Sequence, residues 1–171
     1  GNLTSITEPT GTTTFAWDTR NRLTALSAPG LTGTFAYDAQ RRRARRDIAG
    51  ELREYQYDGA DIVREVMNGS ATIYLRGRAI DEAFIRIDAS TAAVVAYLAD
   101  ALGSTLALTD ASGSIGSSYA YEPFGRTALS GIPADPSFQF SGRENDGNGL
   151  HYYRARYYHP GLQRFISEAP I

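Results

Sequence analysis

Hydrophobic and polar residues alternate over short runs along most of the chain, and turn-forming residues separate the runs. In Phe35-Ala36-Tyr37 the two aromatic residues lie two positions apart, so both face one side of a strand while Ala36 faces the other. The run Ala83–Asp88 alternates in the same way. No stretch of ten or more residues has convincing helical periodicity. The pattern therefore predicts an all-β protein of consecutive antiparallel β-hairpins, and argues against helix bundles and parallel α/β folds.

The first third of the chain repeats with a period of twenty residues. The words Phe15-Ala16-Trp17-Asp18, Phe35-Ala36-Tyr37-Asp38 and Tyr55-Gln56-Tyr57-Asp58 align, as do the words that begin at Gly1 and Asn21. The aspartate after each aromatic pair is expected to form an Asx-type turn. Each unit is predicted to be one hairpin. One unit cannot bury its apolar face alone, so neighbouring units must stack.

Beyond residue 60 the strict period is lost but the hairpin pattern continues. Asn68-Gly69 separates two β-rich runs and is the expected sequence of a type I′ turn. Residues 126–137 contain two prolines and a glycine besides other small residues, and are predicted to form an irregular surface loop. Phe138-Gln139-Phe140 alternates again and leads into the last thirty residues.

Composition and charge exclude several classes of function. A length of 171 residues fits one domain with a substantial core. The net charge of −2 argues against nucleic-acid binding. The chain has no cysteine and two histidines, His151 and His159, too few for a typical zinc centre. We expect no cofactor, no membrane span and no signal peptide in this segment, which opens inside a repeat and is expected to be part of a longer protein.

The basic run Arg41 to Arg46 invites a polyanion-binding interpretation. It follows the turn of a repeat, however, where long charged side chains commonly cover the solvent face of a strand. Given the negative net charge, we interpret the run as a solvated strand.

The last thirty residues hold the densest candidate chemistry. They contain an acidic turn with Glu144 and Asp146, the nearby Arg143, Arg154 and Arg156, and two Tyr-Tyr pairs. From composition alone, residues 144–149 are better interpreted as a polar hairpin turn, for which Asn, Asp and Gly are the expected residues. The paired tyrosines at 152, 153, 157 and 158 are interpreted as cross-strand packing.

Taken together, the sequence motifs of the chain resemble those of the Rhs and YD-repeat family and of its repeat-associated core segment. The repeat part of the resemblance rests on the words at 1, 15, 21, 35 and 55. The core part rests on the following motifs: Leu102-Gly103-Ser104, Tyr121-Glu122-Pro123-Phe124-Gly125, Ser141 to Asp146, Gly149-Leu150, Tyr152 to Tyr158 and Arg164-Phe165-Ile166-Ser167. On this resemblance residues 1–60 are assigned to YD repeats and 61–171 to the core segment, in one continuous β structure.

The resemblance implies a strand ribbon that spirals into a hollow shell. In the bacterial members the shell encloses a C-terminal toxin and the core segment is an intramolecular aspartic protease, whereas the related teneurins act in adhesion. The implied partners are a C-terminal toxin domain and the preceding repeats of the shell. The parent protein would be secreted or delivered to target cells. Open strand edges would also permit self-association.

Aspartic proteolysis needs two carboxyl groups close enough to share one proton. Asp146 matches the first aspartate of the family, and the second position is Ala169 in this chain. Glu168 is a poor substitute because adjacent side chains on an extended segment point to opposite faces. Pro170 and Ile171 would lie on the cleavage-site side. The resemblance therefore predicts a cleavage-dead chain.

Arg143, Arg154 and Arg156, together with Glu144, are candidates for supporting roles around Asp146. Arg154 and Arg156 are expected to share one strand face. An arginine beside a carboxylate would hold it ionised, but the three could equally form surface ion pairs worth at most about 1 kcal/mol. His151 and His159 are interpreted as structural.

Two other functions stay open. Stacked hairpins could form a binding or adhesion module that presents Tyr and Arg to a carbohydrate or a protein. An aspartic protease acting on other proteins would need an intact pair of carboxylates, and Ala169 argues against it.

Overall fold

A computed structural model describes residues 1–132 and 138–169, and within them the fold is almost entirely β. Thirteen strands form one antiparallel sheet in which every strand pairs with its neighbours in the chain. The strands are β1 Ser5–Glu8, β2 Gly11–Trp17, β3 Leu23–Ala28, β4 Leu31–Tyr37, β5 Arg43–Ile48, β6 Glu51–Asp58, β7 Asp61–Met67, β8 Ser70–Arg76, β9 Ala83–Asp88, β10 Val94–Ala99, β11 Thr105–Asp110, β12 Ile115–Tyr121 and β13 Thr127–Gly131. The predicted all-β ribbon of hairpins is confirmed.

The last part of the chain forms a second, smaller sheet. A short 3₁₀ turn, Phe140–Gly142, leads into four antiparallel strands: β14 Glu144–Asn145, β15 His151–Tyr153, β16 Arg156–His159 and β17 Arg164–Phe165. Leu150, Tyr152, Tyr157 and Ile166 of this region lie in one hydrophobic cluster with Phe15, Leu23, Leu26, Phe35 and Ile48 of the large sheet. The small sheet therefore packs against the first repeats, more than a hundred residues away in the chain.

The twenty-residue period corresponds to two strands and two turns. The second aromatic residue of each word donates a hydrogen bond to a backbone carbonyl of the preceding unit: Trp17 Nε1 to Leu3 at 2.8 Å, Tyr37 to Leu23 at 2.8 Å and Tyr57 to Arg43 at 2.8 Å. The first aromatic residue is buried, as Phe15 and Phe35 show. One aromatic residue thus supplies the core and the other ties adjacent units together.

Two of the three repeat aspartates, Asp18 and Asp38, form the expected turns. Asp18 Oδ1 accepts hydrogen bonds from the backbone N–H groups of Arg20 and Arg22 at 2.9 and 3.0 Å. Asp38 accepts from the backbone N–H of Arg42 at 2.8 Å. These carboxylates also pair with the arginine side chains four residues on. The predicted Asx geometry is confirmed at these two turns, whereas Asp58 ends β6 and pairs with Asp61 at the start of β7.

Two local predictions differ in outcome. Asn68 and Gly69, with φ of 48° and 91°, form the predicted tight turn between β7 and β8. The predicted loop over 126–137 is wrong for its first half, since Thr127–Gly131 is strand β13, paired along its length with β12. Residues 133–137 lie outside the described part of the chain. Phe138 forms only an isolated bridge with Glu144, and a 3₁₀ turn follows at Phe140.

Candidate functional site

A cluster of buried charges lies where the small sheet meets the large one. Arg43, at the start of β5, has no solvent exposure. Its guanidinium donates to Asp146 Oδ2 at 2.5 Å and makes a second, very short ion pair with Glu144. One cation from the repeats therefore holds two carboxylates from the acidic turn.

The repeat explains why Arg43 is buried. At a shift of twenty residues Arg43 takes the place of Leu23, and Arg46 takes the place of Leu26; both leucines are core residues. Arg46 is likewise buried, at 5% exposed. The interpretation of Arg41 to Arg46 as a solvated strand is therefore wrong for these two positions. The alignment with core leucines was the signal that could have revealed them.

Tyrosines surround the Arg43 guanidinium. It lies 4.2 Å from the centre of the Tyr152 ring and 5.0 Å from that of Tyr55. It also donates to the Tyr157 hydroxyl at 3.1 Å, while the Arg43 backbone N–H donates to the Tyr152 hydroxyl at 3.1 Å. Ring faces are favourable surroundings for a desolvated guanidinium. They let the chain keep a cation in a core position.

Asp146 lies directly after β14 and is 4% exposed. Its backbone N–H donates to the Leu150 carbonyl at 3.0 Å, which closes the turn. Arg46 donates to the Asp146 backbone carbonyl at 2.9 Å and lies 3.6 Å from Oδ1. Oδ1 itself is buried and has no hydrogen-bond partner in the described part of the chain. One carboxylate oxygen is thus fixed by Arg43 and the other is left for a further donor.

Burial changes the proton affinity of two neighbours of Asp146. The pKa of Glu144 is raised to about 7, because desolvation outweighs the attraction of Arg43, which Glu144 shares with Asp146. The pKa of His151 is lowered to about 4 by burial, opposed by Asp146. Both groups therefore change charge at pH values far from those of their exposed counterparts.

The three arginines expected to support Asp146 have other partners. Arg143 and Arg154 form ion pairs with Asp81 at 2.8 and 2.5 Å, and Arg154 also reaches Asp61 at 3.2 Å. Arg156 lies over the ring of Phe165 at 3.6 Å. Arg154 and Arg156 do not share a strand, since Arg154 has φ of 57° in the turn between β15 and β16. Their supporting role stays a prediction, while Arg43 and Arg46 make the direct contacts.

Position 169 lies at the other end of the small sheet's chain. The Ile166 carbonyl accepts from the Leu3 N–H at 2.8 Å, and the Glu168 N–H donates to Asn2 Oδ1 at 3.1 Å. Glu168 also pairs with the amino group of Gly1 at 2.7 Å. Ala169 is exposed, unlike Asp146. Pro170 and Ile171 lie outside the described residues.

Two further features bear on function. Across residues 1–132 and 138–169, no group of three or more His, Cys, Asp or Glu side chains is arranged to hold a metal ion. Within the same ranges no helix is long and apolar enough to cross a membrane. His159 ends β16, and its Nδ1 accepts from the Leu162 N–H at 3.1 Å.

Comparisons with known proteins place the chain. Residues 1–31 match the RHS Repeat family. The chain is 35% identical over 74 residues to toxin subunit YenC1 of Yersinia entomophaga, a match that covers 40% of the chain and 8% of that subunit. The crystal structure of TcdB2-TccC3-Cdc42 has the same fold, with a TM-score of 0.74 at 21% identity over 92% of this chain and 9% of that one.

The structure of the Photorhabdus luminescens Tc holotoxin pore with a mutated TccC3 is also similar. It has a TM-score of 0.70 at 20% identity, again over 92% of this chain and 9% of that one. The long antiparallel ribbon has the fold of these toxin-component structures. The match of residues 1–31 to the RHS Repeat family, together with the similarity to toxin subunit YenC1, confirms the resemblance to the Rhs and YD-repeat family. The chain spans less than a tenth of the length of these relatives.

Proposed function

We propose that this chain is part of an Rhs-type shell that encloses a C-terminal toxin, and that Asp146 is one carboxylate of an intramolecular aspartic protease. The relatives named above are toxin components, which supports delivery to target cells as part of a larger bacterial protein. The partners would be the toxin domain, the preceding shell repeats and other toxin components.

The observation that carries the protease proposal is the state of Asp146. Its carboxylate is buried and held by Arg43, yet Oδ1 has no hydrogen-bond partner among the described residues. A turn aspartate with a purely local role accepts backbone N–H groups with its side chain, as Asp18 does. Asp146 instead offers a fixed oxygen that could share a proton with a second carboxyl group.

The second carboxyl group would come from position 169. With aspartate there, the ionised carboxylate would take a proton from the attacking water while the protonated carboxyl group gave its proton to the peptide carbonyl, forming a tetrahedral gem-diol. Transfer of a proton to the amide nitrogen would then let this intermediate collapse, breaking the C–N bond to give a new carboxyl group and a new amine. Ala169 cannot exchange a proton. Because residue 169 is exposed, an aspartate there would have to turn inward toward Asp146. We therefore propose that this chain, with Ala169, does not cleave itself.

The test restores the second carboxylate. The chain is extended beyond Ile171 with a reporter domain and made as the parent, as Ala169→Asp, and as Ala169→Asp combined with Asp146→Asn. Ala169→Asp combined with Asp110→Asn serves as the control, because Asp110 is an exposed turn aspartate of the large sheet. Thermal unfolding establishes that each variant is folded, and a denaturing gel follows release of the reporter.

We expect release from Ala169→Asp and from its Asp110→Asn control, at a rate independent of protein concentration, and no release from the other two. If folded Ala169→Asp stays intact, or if cleavage survives Asp146→Asn, the proposed pair of carboxylates is wrong.

A further inference from the structure

A cavity of about 670 Å³ lies beside the Arg43 cluster, between the turns of the first repeats and the start of the small sheet. Its apolar walls include Tyr57, Ile62, Phe138 and Tyr152. Seven arginines line it, with Asp81 and Glu144 as the acidic residues. Of these arginines only Arg143 and Arg154 were predicted to support Asp146, and both pair with Asp81 instead. The cavity is therefore a separate question from cleavage.

The arginines outnumber the carboxylates near them. Arg22 and Arg42 pair with Asp18 and Asp38, Arg76 faces Asp61, and Arg143 and Arg154 share Asp81. Glu144 is engaged by Arg43. The seven lining guanidiniums thus have four aspartates between them, which leaves a surplus of three positive charges. Arg20 and Arg41 are exposed, and neither guanidinium has an ion pair within the described ranges.

Besides the surplus of positive charge, the cavity wall contains buried arginine donors without acceptors, above all on Arg76. Its side chain is 7% exposed and stacks 4.2 Å from the centre of the Phe138 ring. Nη2 reaches Asp61 at 3.4 Å, while Nε and Nη1 are buried with no hydrogen-bond partner in the described structure. Arg143 Nε, in the same wall, is also buried without a partner there. Buried donors without acceptors are costly, so these atoms are arranged for an acceptor from outside the described residues.

We propose that this cavity binds an acidic segment of polypeptide, whose carboxylates pair with Arg76 and Arg143 inside and with Arg20 and Arg41 at the rim. Arginine N–H groups form strong charge-assisted bonds with carboxylates. The cations belong to several separate elements and alternate with aromatic walls. An extended chain with spaced carboxylates matches that distribution better than one compact anion. This inference goes beyond the proposed shell and protease, and it holds or fails independently of cleavage.

The test measures binding of a fluorescein-labelled peptide of four Glu-Gly repeats to the 171-residue chain by fluorescence anisotropy. The matched peptide has Gln in place of Glu. Arg76→Gln removes the buried anchor, and the pair Arg20→Gln with Arg41→Gln removes the exposed rim. Arg45→Gln is the control, since Arg45 is exposed on the same stretch of chain but does not line the cavity. Citrate, as a free polycarboxylate, competes in a separate series.

We expect the Glu peptide to bind at least tenfold more tightly than the Gln peptide. Arg76→Gln should weaken binding at least tenfold, the rim pair at least threefold, and Arg45→Gln by less than twofold. If Arg76→Gln fails to fold, the affinity of the Arg20→Gln and Arg41→Gln double variant for the Glu peptide tests the proposal, because substitutions of exposed residues seldom affect folding. Equal binding of the two peptides would overturn the proposal. So would an equal loss with Arg45→Gln, or citrate binding as tightly as the Glu peptide.

Discussion

Replacing Arg43 with methionine tests whether the buried charge cluster of Arg43, Glu144 and Asp146 is the main polar contact between the large and the small sheet. Methionine keeps much of the apolar stem of Arg43 but removes the guanidinium that holds Glu144 and Asp146. Arg46 still lies 3.6 Å from Asp146. Glu144 is therefore the group left buried without its cation.

The expected cost follows from burial. Removing one partner of a buried ion pair costs about 3 to 5 kcal/mol, because the remaining charge stays desolvated. Arg42 provides the comparison: it is the next residue along the chain and pairs with Asp38 four residues earlier, but the two side chains are 31% and 23% exposed. Breaking such a pair costs at most about 1 kcal/mol. Arg43→Met should thus destabilise the fold several times more than Arg42→Met.

Urea unfolding at pH 8 gives the measurement, since urea leaves electrostatic interactions unscreened. Trp17 is the single tryptophan of the chain and packs against the cluster that contains Tyr152 and Tyr157. Its fluorescence therefore reports on the interface between the sheets. Adding Glu144→Gln to Arg43→Met should recover part of the loss. If the two methionine variants differ by less than about 1 kcal/mol, the ion pairs do not hold the sheets together as argued.

Two further predictions concern pH and backbone strain. Because the pKa of Glu144 is raised to about 7, the contribution of Glu144 to the stability of the fold falls as pH rises from about 4.5 to 7. Because the pKa of His151 is lowered to about 4, the contribution of His151 to the stability of the fold falls as pH falls from about 6.5 to 4. These two pH dependences offset one another in the parent chain. In Glu144→Gln the free energy of unfolding, measured by urea titration, should decrease on acidification by up to about 1.4 kcal/mol per pH unit, and in His151→Phe it should increase on acidification. Parallel pH profiles in both variants would contradict this. Gly125→Ala should destabilise the fold by about 2 to 4 kcal/mol, because φ is +84° and the new Cβ would lie 2.5 Å from the Phe140 ring. Gly69→Ala, at φ +91° but with open space around the new Cβ, should destabilise it by about 1 kcal/mol. Equal shifts in melting temperature would contradict the steric argument.

Turn chemistry and its limits are visible at two positions. Asn68-Gly69 was predicted correctly because the φ values that a tight hairpin needs are a property of those two residues. Residues 127–131 were predicted to be a loop, yet they pair with β12 from Ser117 to Tyr121. An available strand edge outweighed the local preference of that segment.

The sequence by itself determined the ribbon. A strict period, alternating aromatics and an aspartate at each turn are local signals, and each specifies its strand and turn through residues that are near one another in the chain. It also singled out Asp146 through the resemblance. The alignment of Arg43 with Leu23 was available as well, and it indicated a core position.

Only the tertiary structure decided which residues contact the buried guanidinium of Arg43. Arg43 and Asp146 are 103 residues apart, and no periodic pattern links them. The pairing exists because the small sheet folds back onto the first repeats, and a charge in a core position is stable only when an opposite charge from elsewhere reaches it. Arg143 and Arg154, although close to Asp146 in sequence, pair with Asp81 instead. Proximity along the chain does not fix the direction of a side chain across a turn.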